Sequence, residues 1–281
     1  MYRLGLIGYP ITHSLSPWIH QTFLNSANLS GGYDIFEIHP EQSFSAALTK
    51  LKEQNVQGFN VTIPYKQKII DYLDDIDEEA KVIGAVNTVL LRDGKWIGYN
   101  TDGSGYIRAL RHDYPELFSE HIHDQKVLLL GAGGAARGLY YALMSAGFAH
   151  IDLANRTIAS ATEIAKLKKD DIETNILSLA EAEQQLATYD LIIQTTSVGM
   201  NPHVDETIIP IQQLKEGVIV SDIVYQPIET KFLQQAKGLG AKIHYGHTML
   251  LYQAQYAFEI WTGKKIDVAD MVQDLELKLK G

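Results

Sequence analysis

The sequence predicts an α/β protein of two units, and three observations carry that expectation. Short apolar strands alternate with helical stretches through the first hundred residues, the pattern of a mostly parallel sheet layered with helices. A second series of strands starts at residues 127–130 and runs directly into Gly131-Ala132-Gly133-Gly134-Ala135-Ala136, a glycine turn between strand and helix that suits a doubly wound parallel sheet. Between the two series lies "HDYPELFSEHIHDQ", polar and unperiodic, which reads as a connection.

The elements of the first series follow in order. "RLGLIG" is a strand. "HSLSPWIHQTFL" turns into a helix, with Ser16 as N-cap, Pro17 as first helical residue, and Ile19 and Phe23 on one face. "YDIFEIH" alternates as a strand does, and "FSAALTKLKEQ" is helical. "GFNVTI" is a strand, after which Pro64 opens the helix "YKQKIIDYL", and "DEEAKVIGA" forms another short helix. "NTVLLRDGKWIGYNTD" is two strands around Asp93-Gly94, a strong hairpin signal. In the second series "HIDLANRT", "YDLIIQTTS", "GVIVSDIVY" and "AKIHYG" are four further strands. "TMLLYQAQYAFEIWTG" is a long helix with Leu250, Ala254, Ala257, Phe258 and Trp261 on one stripe.

Composition narrows the function. The 281 residues are 46% hydrophobic and 21% charged, so ordinary cores are expected. A net charge of −10 argues against nucleic acid as the main partner. The absence of cysteine rules out disulfides and thiol chemistry and fits a reducing compartment. The N-terminal apolar run ends early at Gly-Tyr-Pro, too short for a signal peptide, and no run of about 18 apolar residues occurs. A soluble, cytoplasmic protein acting on a small molecule is expected, as a monomer or homodimer. The ten histidines show no ligand spacing, so no metal site is expected. His13 reads as a loop residue, "KLKKDD" as a solvated helix end, and "LELKLKG" as an amphipathic tail.

The glycine turn points to a nucleotide. Gly131 permits the tight turn, Gly133 lets a pyrophosphate approach the backbone, and Ala136 lets helix and strand pack closely. The helix N-terminus offers unpaired N–H groups to phosphate. At the end of the next strand a dinucleotide lacking the 2′-phosphate is usually met by an acid. Here Asn155-Arg156-Thr157 stands in that place. An arginine suits a 2′-phosphate, so NADP is expected over NAD.

Polar side chains gather at the strand ends of the first unit: Ser14 and Ser16 in "SLS", Asn60 and Thr62 in "NVT", Asn87 in "AVNT", Thr101 and Asp102 in "YNTD". Strand ends in an α/β layer share one edge, so these residues suit a small polyhydroxylated ligand. Lys66, just beyond Pro64, is the candidate for chemistry. Reducing a ketone needs a hydride on carbon and a proton on oxygen. A partly desolvated lysine releases a proton more readily and stabilises a developing alkoxide. A carboxylate beside it orients the amine and holds it charged. Asp102 is the candidate for that carboxylate, followed by a flexible Gly103-Ser104-Gly105. In the other arrangement Lys66 polarises the substrate while Asp102 or a water carries the proton.

"SLSP", "NVTIPYK", "GAVNT", "YNTDG", "GAGGAARG", "NRT", "TTSVGM", "DIVYQP" and "MLLYQAQYAF" occur in the order found in shikimate dehydrogenases, and the chain resembles that family from about residue 4 to 263. The resemblance implies a substrate domain at 1–104, completed by C-terminal helices at 247–281 that return to it, and a Rossmann-type NADP domain at 105–246. It implies reversible reduction of 3-dehydroshikimate to shikimate on the way to chorismate and aromatic amino acids, with Lys66 and Asp102 as the catalytic pair. Ser14, Ser16, Thr62, Asn87, Tyr225 and Gln253 would meet the substrate. Gly131, Ala132, Gly133, Gly134, Ala135, Asn155, Arg156, Thr157 and Thr195 would meet the cofactor, with Ile223 and Gly246 near the nicotinamide. The family often has a second basic residue three positions beyond the threonine of "NRT", where this chain has Ser160. A quinate/shikimate dehydrogenase using NAD is the nearest rival reading. A nucleotide-binding regulatory protein without catalysis is the rival from another class.

Overall fold

The computed structural model describes residues 1–280, which form two compact units, 1–102 with 253–268, and 103–252 with 269–280.

The first unit holds strands β1 (Tyr2–Gly8), β2 (Gly31–Glu37), β3 (Gly58–Val61), β4 (Asp75–Ile76), β5 (Thr88–Arg92) and β6 (Lys95–Tyr99) in the order β2-β1-β3-β5-β6-β4. β1 runs parallel to β2 and β3, and β4 parallel to β6, whereas β5 is antiparallel to both of its neighbours. Helices α1 (Ser16–Ser26), α2 (Phe44–Glu53) and α3 (Glu78–Ile83) cover the sheet. Alternation along β1 divides its side chains between two cores. Ile7 packs with Phe44, Leu48, Phe59 and Trp96. Leu4 and Leu6 pack with Tyr33, Ala257 and Trp261. Both faces are thus buried, which explains the nearly continuous apolar run. The β5–β6 hairpin turns at Asp93 (φ 52°) and Gly94 (φ 77°), as the Asp-Gly pair predicts.

The second unit is a six-stranded parallel sheet of β7 (Lys126–Leu130), β8 (His150–Ala154), β9 (Ile176–Leu177), β10 (Leu191–Gln194), β11 (Ile219–Asp222) and β12 (Lys242–Tyr245), ordered β12-β11-β10-β7-β8-β9. The order reverses beside β7, as the doubly wound expectation requires. The remaining helices of the chain are α4 (Asp102–Asp113), α5 (Gly134–Ala146), α6 (Ile158–Ala165), α7 (Leu179–Gln185), α8 (Lys231–Gly238), α9 (Gly246–Thr262), whose residues from 253 on group with the first unit, and α10 (Met271–Lys280).

Four expectations differ from the fold. The segment after Pro64 makes turns and then a 3₁₀ helix at Lys68–Tyr72, because Tyr65 is drawn inward to donate to the Ile38 carbonyl at 2.6 Å. Ser16 is the first residue of α1 and not its N-cap; the Ser14 hydroxyl accepts from the Ser16 N–H at 3.2 Å instead. Residues 103–105 are the first turn of α4 and not a flexible link. Residues 247–252 and 269–280 group with the second unit, while 253–268 group with the first, where Trp261 donates to the Val89 carbonyl at 2.9 Å. Strands β4 and β9, two residues each, are too short for a period to reveal.

Gly103 owes its identity to close packing. A methyl group there would lie 2.5 Å from the Gly138 carbonyl oxygen and 2.7 Å from the Ala142 Cβ. Gly103→Ala should therefore destabilise the protein by about 1–3 kcal/mol through overpacking, read as a lower urea midpoint. An unchanged midpoint would mean that α4 shifts without cost.

Candidate functional site

Strand register explains why polar residues converge in the first unit. Thr88, at the start of β5, pairs with Asn60 of β3 and with Tyr99 of β6. Because β5 runs the opposite way, its beginning shares an edge with the ends of its neighbours. Asn87 precedes a strand, whereas Thr62, Thr101 and Asp102 follow strands, and all meet at that edge.

Lys66 is fixed from both sides. Tyr65 is buried, and the Lys66 carbonyl accepts from the Val86 N–H at 2.8 Å. Its ammonium nitrogen lies 2.5 Å from Asp102 Oδ2, with the two side chains 15% and 6% exposed. That burial removes the reading of Lys66 as a solvated surface charge. Asp102 Oδ1 accepts from Asn87 Nδ2 at 2.8 Å, and the Asp102 N–H donates to Asn100 Oδ1 at 3.1 Å. Asn87 Nδ2 also lies 3.0 Å from Thr101 Oγ1 and 3.5 Å from Gln253 Oε1. Ser14 and Ser16 share a hydroxyl contact at 3.1 Å, and Thr62 is half-buried at the same strand end as Asn60. Asn60 takes a different part from the one expected. Its carbonyl accepts from the Tyr33 hydroxyl at 2.7 Å, and its amine donates to the Asn87 carbonyl and to Thr88 Oγ1, both at 3.1 Å. With every one of these bonds internal, Asn60 supports the site and has little left for a ligand.

In the second unit the parallel register aligns Leu130, Ala154, Gln194, Asp222 and Tyr245 in one row. The residues that follow them are Gly131, Asn155, Thr195, Ile223 and Gly246, so five expected cofactor residues line one edge of the sheet. Gly131 has φ +116°, and a methyl there would meet Thr195 Oγ1 at 2.5 Å. Gly133 takes the N-cap position of α5 without a capping side chain, is exposed, and has open space around it. Gly134 and Ala135 form the first turn of that helix, after the half-buried Ala132. Open donors, a glycine cradle and free space fit a pyrophosphate. The Thr195 hydroxyl donates to the Leu130 carbonyl at 2.8 Å and so builds the floor of the turn.

Asn155 Nδ2 donates to the Thr157 carbonyl at 2.9 Å, shaping the loop that presents Arg156. Arg156 and Thr157 are exposed, and Arg156 makes no ion pair with any described residue. The next acid along the chain, Glu163, pairs with Lys166 at 2.6 Å, and Asp152, four positions before Arg156, accepts from Asn175 and Tyr189. Gly246 touches the chain at Ile223: a methyl on it would meet the Ile223 carbonyl at 2.6 Å. Tyr225 lies half-buried in the loop beyond β11. Among the described residues, no group of three or more His, Asp or Glu is arranged to hold a metal, and no helix is long and apolar enough to cross a membrane.

Known proteins carry the same design. Residues 6–89 match the shikimate dehydrogenase substrate binding domain, 115–230 the shikimate/quinate 5-dehydrogenase family, and 246–276 the shikimate 5′-dehydrogenase C-terminal domain. A shikimate dehydrogenase (NADP(+)) of Oceanobacillus iheyensis is 54% identical over 278 residues, which is 99% of this chain and 98% of that protein. The chain belongs to the shikimate dehydrogenase family. Among solved shikimate dehydrogenases, the Thermus thermophilus enzyme in complex with NADP(H) and shikimate superposes with a TM-score of 0.86 at 31% identity, covering 99% of this chain and all of that one. Another, in complex with NADP+, gives 0.88 at 37% identity and covers 99% and 96% of the two chains.

Two features of this shikimate dehydrogenase chain escaped sequence reading. Thr88 and Tyr33 join the polar network, yet each looks like an ordinary strand residue. Asp222 is fully buried at the end of β11 and accepts from Thr230 Oγ1 at 2.7 Å, the Val224 N–H at 2.9 Å and Gln194 Nε2 at 3.2 Å. Burial, opposed by these donors, pushes its carboxyl up from 3.8 to about 7. The folded state therefore takes up a proton that the unfolded chain does not. That stabilisation is complete below about pH 3.8 and fades as pH rises to about 7. Asp222→Asn keeps the shape and cannot titrate. Relative to this variant, the wild type should lose about 1 kcal/mol of unfolding free energy per pH unit between pH 5 and 7. Urea unfolding at pH 5, 6, 7 and 8 reads the difference, and parallel curves for the two proteins would refute the shift.

Proposed function

We propose that this chain is an NADP-dependent shikimate dehydrogenase, reversibly reducing 3-dehydroshikimate to shikimate in the route to chorismate and aromatic amino acids. The observation that carries the reading is the buried contact between Lys66 Nζ and Asp102 Oδ2 at 2.5 Å, set among neutral hydrogen-bonding side chains. When bound, NADPH supplies a hydride to the carbonyl carbon of the substrate. Lys66 delivers the proton to the carbonyl oxygen, and in the reverse direction takes it from the shikimate hydroxyl. Its charge stabilises the oxygen as negative charge develops there. Asp102 orients the ammonium and keeps it protonated until transfer. Ser14, Ser16, Thr62, Asn87, Thr101 and Gln253 are the proposed partners of the substrate's hydroxyls and carboxylate. Arg156, unpaired and exposed, is the proposed ligand of the 2′-phosphate, while the turn from Gly131 to Ala135 receives the pyrophosphate. Cytoplasmic residence, as a monomer or homodimer, is part of the proposal and agrees with a chain that contains no cysteine.

The direct test follows NADPH absorbance with shikimate and NADP⁺, alongside quinate and NAD⁺. Shikimate with NADP⁺ should be the preferred pair. Faster turnover of quinate with NAD⁺ would move the chain to the rival activity, and no turnover of either would favour a regulatory protein. Lys66→Ala should lower kcat by roughly 10²–10⁴-fold with a much smaller change in the shikimate KM; near-normal kcat would remove Lys66 from the chemistry. Arg156→Ala should weaken NADP⁺ binding by about 10–100-fold, the equivalent of a charge-assisted hydrogen bond, and leave NAD⁺ binding nearly unchanged in calorimetric titration. Equal losses for the two dinucleotides would mean that Arg156 does not read the phosphate.

A further inference from the structure

Behind the Lys66–Asp102 pair lies a continuous line of buried side chains. Tyr33 donates to Asn60 Oδ1 at 2.7 Å, Asn60 Nδ2 donates to Thr88 Oγ1 at 3.1 Å, and Thr88 Oγ1 donates to Asn87 Oδ1 at 3.0 Å. Asn87 Nδ2 then donates to Asp102 Oδ1 at 2.8 Å. The direction of this line is fixed at both ends. A carboxylate can only accept, so the amine end of Asn87 must face Asp102. The other end of that amide must then accept, and it does so from the Thr88 hydroxyl at 3.0 Å, the Thr101 N–H at 2.8 Å and the Thr101 hydroxyl at 3.2 Å. At the far end, burial pushes the Tyr33 hydroxyl well above its usual range, so it remains a donor. The His20 ring stacks on Tyr33 with centroids 4.4 Å apart and holds it in place. Tyr33 and Thr88 are 6% and 0% exposed, too enclosed to meet a substrate.

We propose that Thr88, backed by Asn60 and Tyr33, is a positioning residue for the Lys66–Asp102 pair, because its hydroxyl, together with Thr101, holds the Asn87 amide with its Nδ2 toward the Asp102 carboxylate. The inference rests on the catalytic reading of that pair. Without the Thr88 hydroxyl, Asn87 Oδ1 loses one of its donors and Asn60 Nδ2 loses an acceptor. The amide is then held on that side by Thr101 alone and samples rotated states in which its oxygen opposes the carboxylate. The fraction of molecules with Asp102 and Lys66 correctly set falls, while Ser14, Ser16 and Thr62, which lie outside this line, are unchanged.

Thr88→Val keeps the branched shape and removes only the hydroxyl; Thr88→Ser restores it. The expected result for Thr88→Val is a 5–50-fold fall in kcat, with shikimate affinity, measured by calorimetry on the dinucleotide-free protein, changed by less than about threefold. The deuterium isotope effect on hydride transfer should rise as chemistry becomes slower relative to product release. Thr88→Ser should recover most of the kcat. Tyr33→Phe, two bonds farther out, should show the same pattern at smaller amplitude, and it carries the test if Thr88→Val does not fold. A variant with a lowered melting temperature but normal kcat and isotope effect would reduce the line to a core hydrogen-bond network and overturn the proposal. Lys66→Ala, measured beside them, separates the two ideas: an inactive Lys66→Ala with a normal Thr88→Val refutes only the positioning role, whereas an active Lys66→Ala removes the catalytic reading itself.

Discussion

The first unit is organised around the cost of burying two opposite charges. Desolvating an ammonium or a carboxylate costs several kcal/mol per ion, and their attraction offsets that only when geometry is good and the remaining lone pairs are satisfied. Asp102 meets both conditions: one oxygen faces Lys66 and the other faces Asn87. Asn87 must in turn be satisfied, which brings in Thr88 and Thr101, and Thr88 brings in Asn60. The polar line is the structural consequence of placing the pair out of water. A scaffold selected for stability alone would do as well with apolar residues there. The presence of so many buried polar groups there therefore agrees with the catalytic role proposed for the pair.

The second unit meets a different demand with strand register. An anion needs donors that are already oriented and have no other partner. The end of β7 provides this because Gly131 turns the chain sharply and α5 starts with no side chain over its N-terminus. Parallel pairing then brings the residue after each neighbouring strand to the same edge. The sheet therefore decides which residues can line the cradle, and their chemistry decides what they hold. Asn155 spends its amide on shaping the loop, and Arg156 beside it is exposed. Its charge is not consumed by the protein.

The fold was legible where period and punctuation agreed. The apolar runs of β7, β10 and β11, the Asp93-Gly94 hairpin and the turn at Gly131 each have one strong physical reading. The expected helix after Pro64 failed because local propensity competed with the burial of Tyr65, a tertiary effect. Gly103 was misread as flexible because a glycine looks the same in a loop and beneath a neighbouring helix. Much of the site was legible too, since Lys66, Asn87, Thr101 and Asp102 meet as expected. Asn60 was noticed for the right reason and given the wrong partner. Which side of a strand-end asparagine is already occupied depends on residues 27 positions away in the chain, Tyr33 and Asn87. Thr88 and Asp222 gave no signal because a strand threonine and a strand-end aspartate have many ordinary uses.

Two buried carboxylates in one chain show how partners set apart the group proposed for the chemistry from a scaffold group. Asp102 and Asp222 both end the strand side of an α/β layer, and both accept several hydrogen bonds. Asp222 has only neutral donors, Thr230, Val224 and Gln194, and burial outweighs them, so its carboxyl is pushed up to about 7. It ties β10, β11 and the start of α8 together, a task that a protonated acid performs nearly as well as an anion. Asp102 instead faces an ammonium, and its place is defined by the Asn87 amide, whose orientation only makes sense against a carboxylate. Burial alone therefore does not single out the carboxylate proposed for the chemistry; what distinguishes Asp102 is a cationic partner held at contact distance by neighbours that are themselves held.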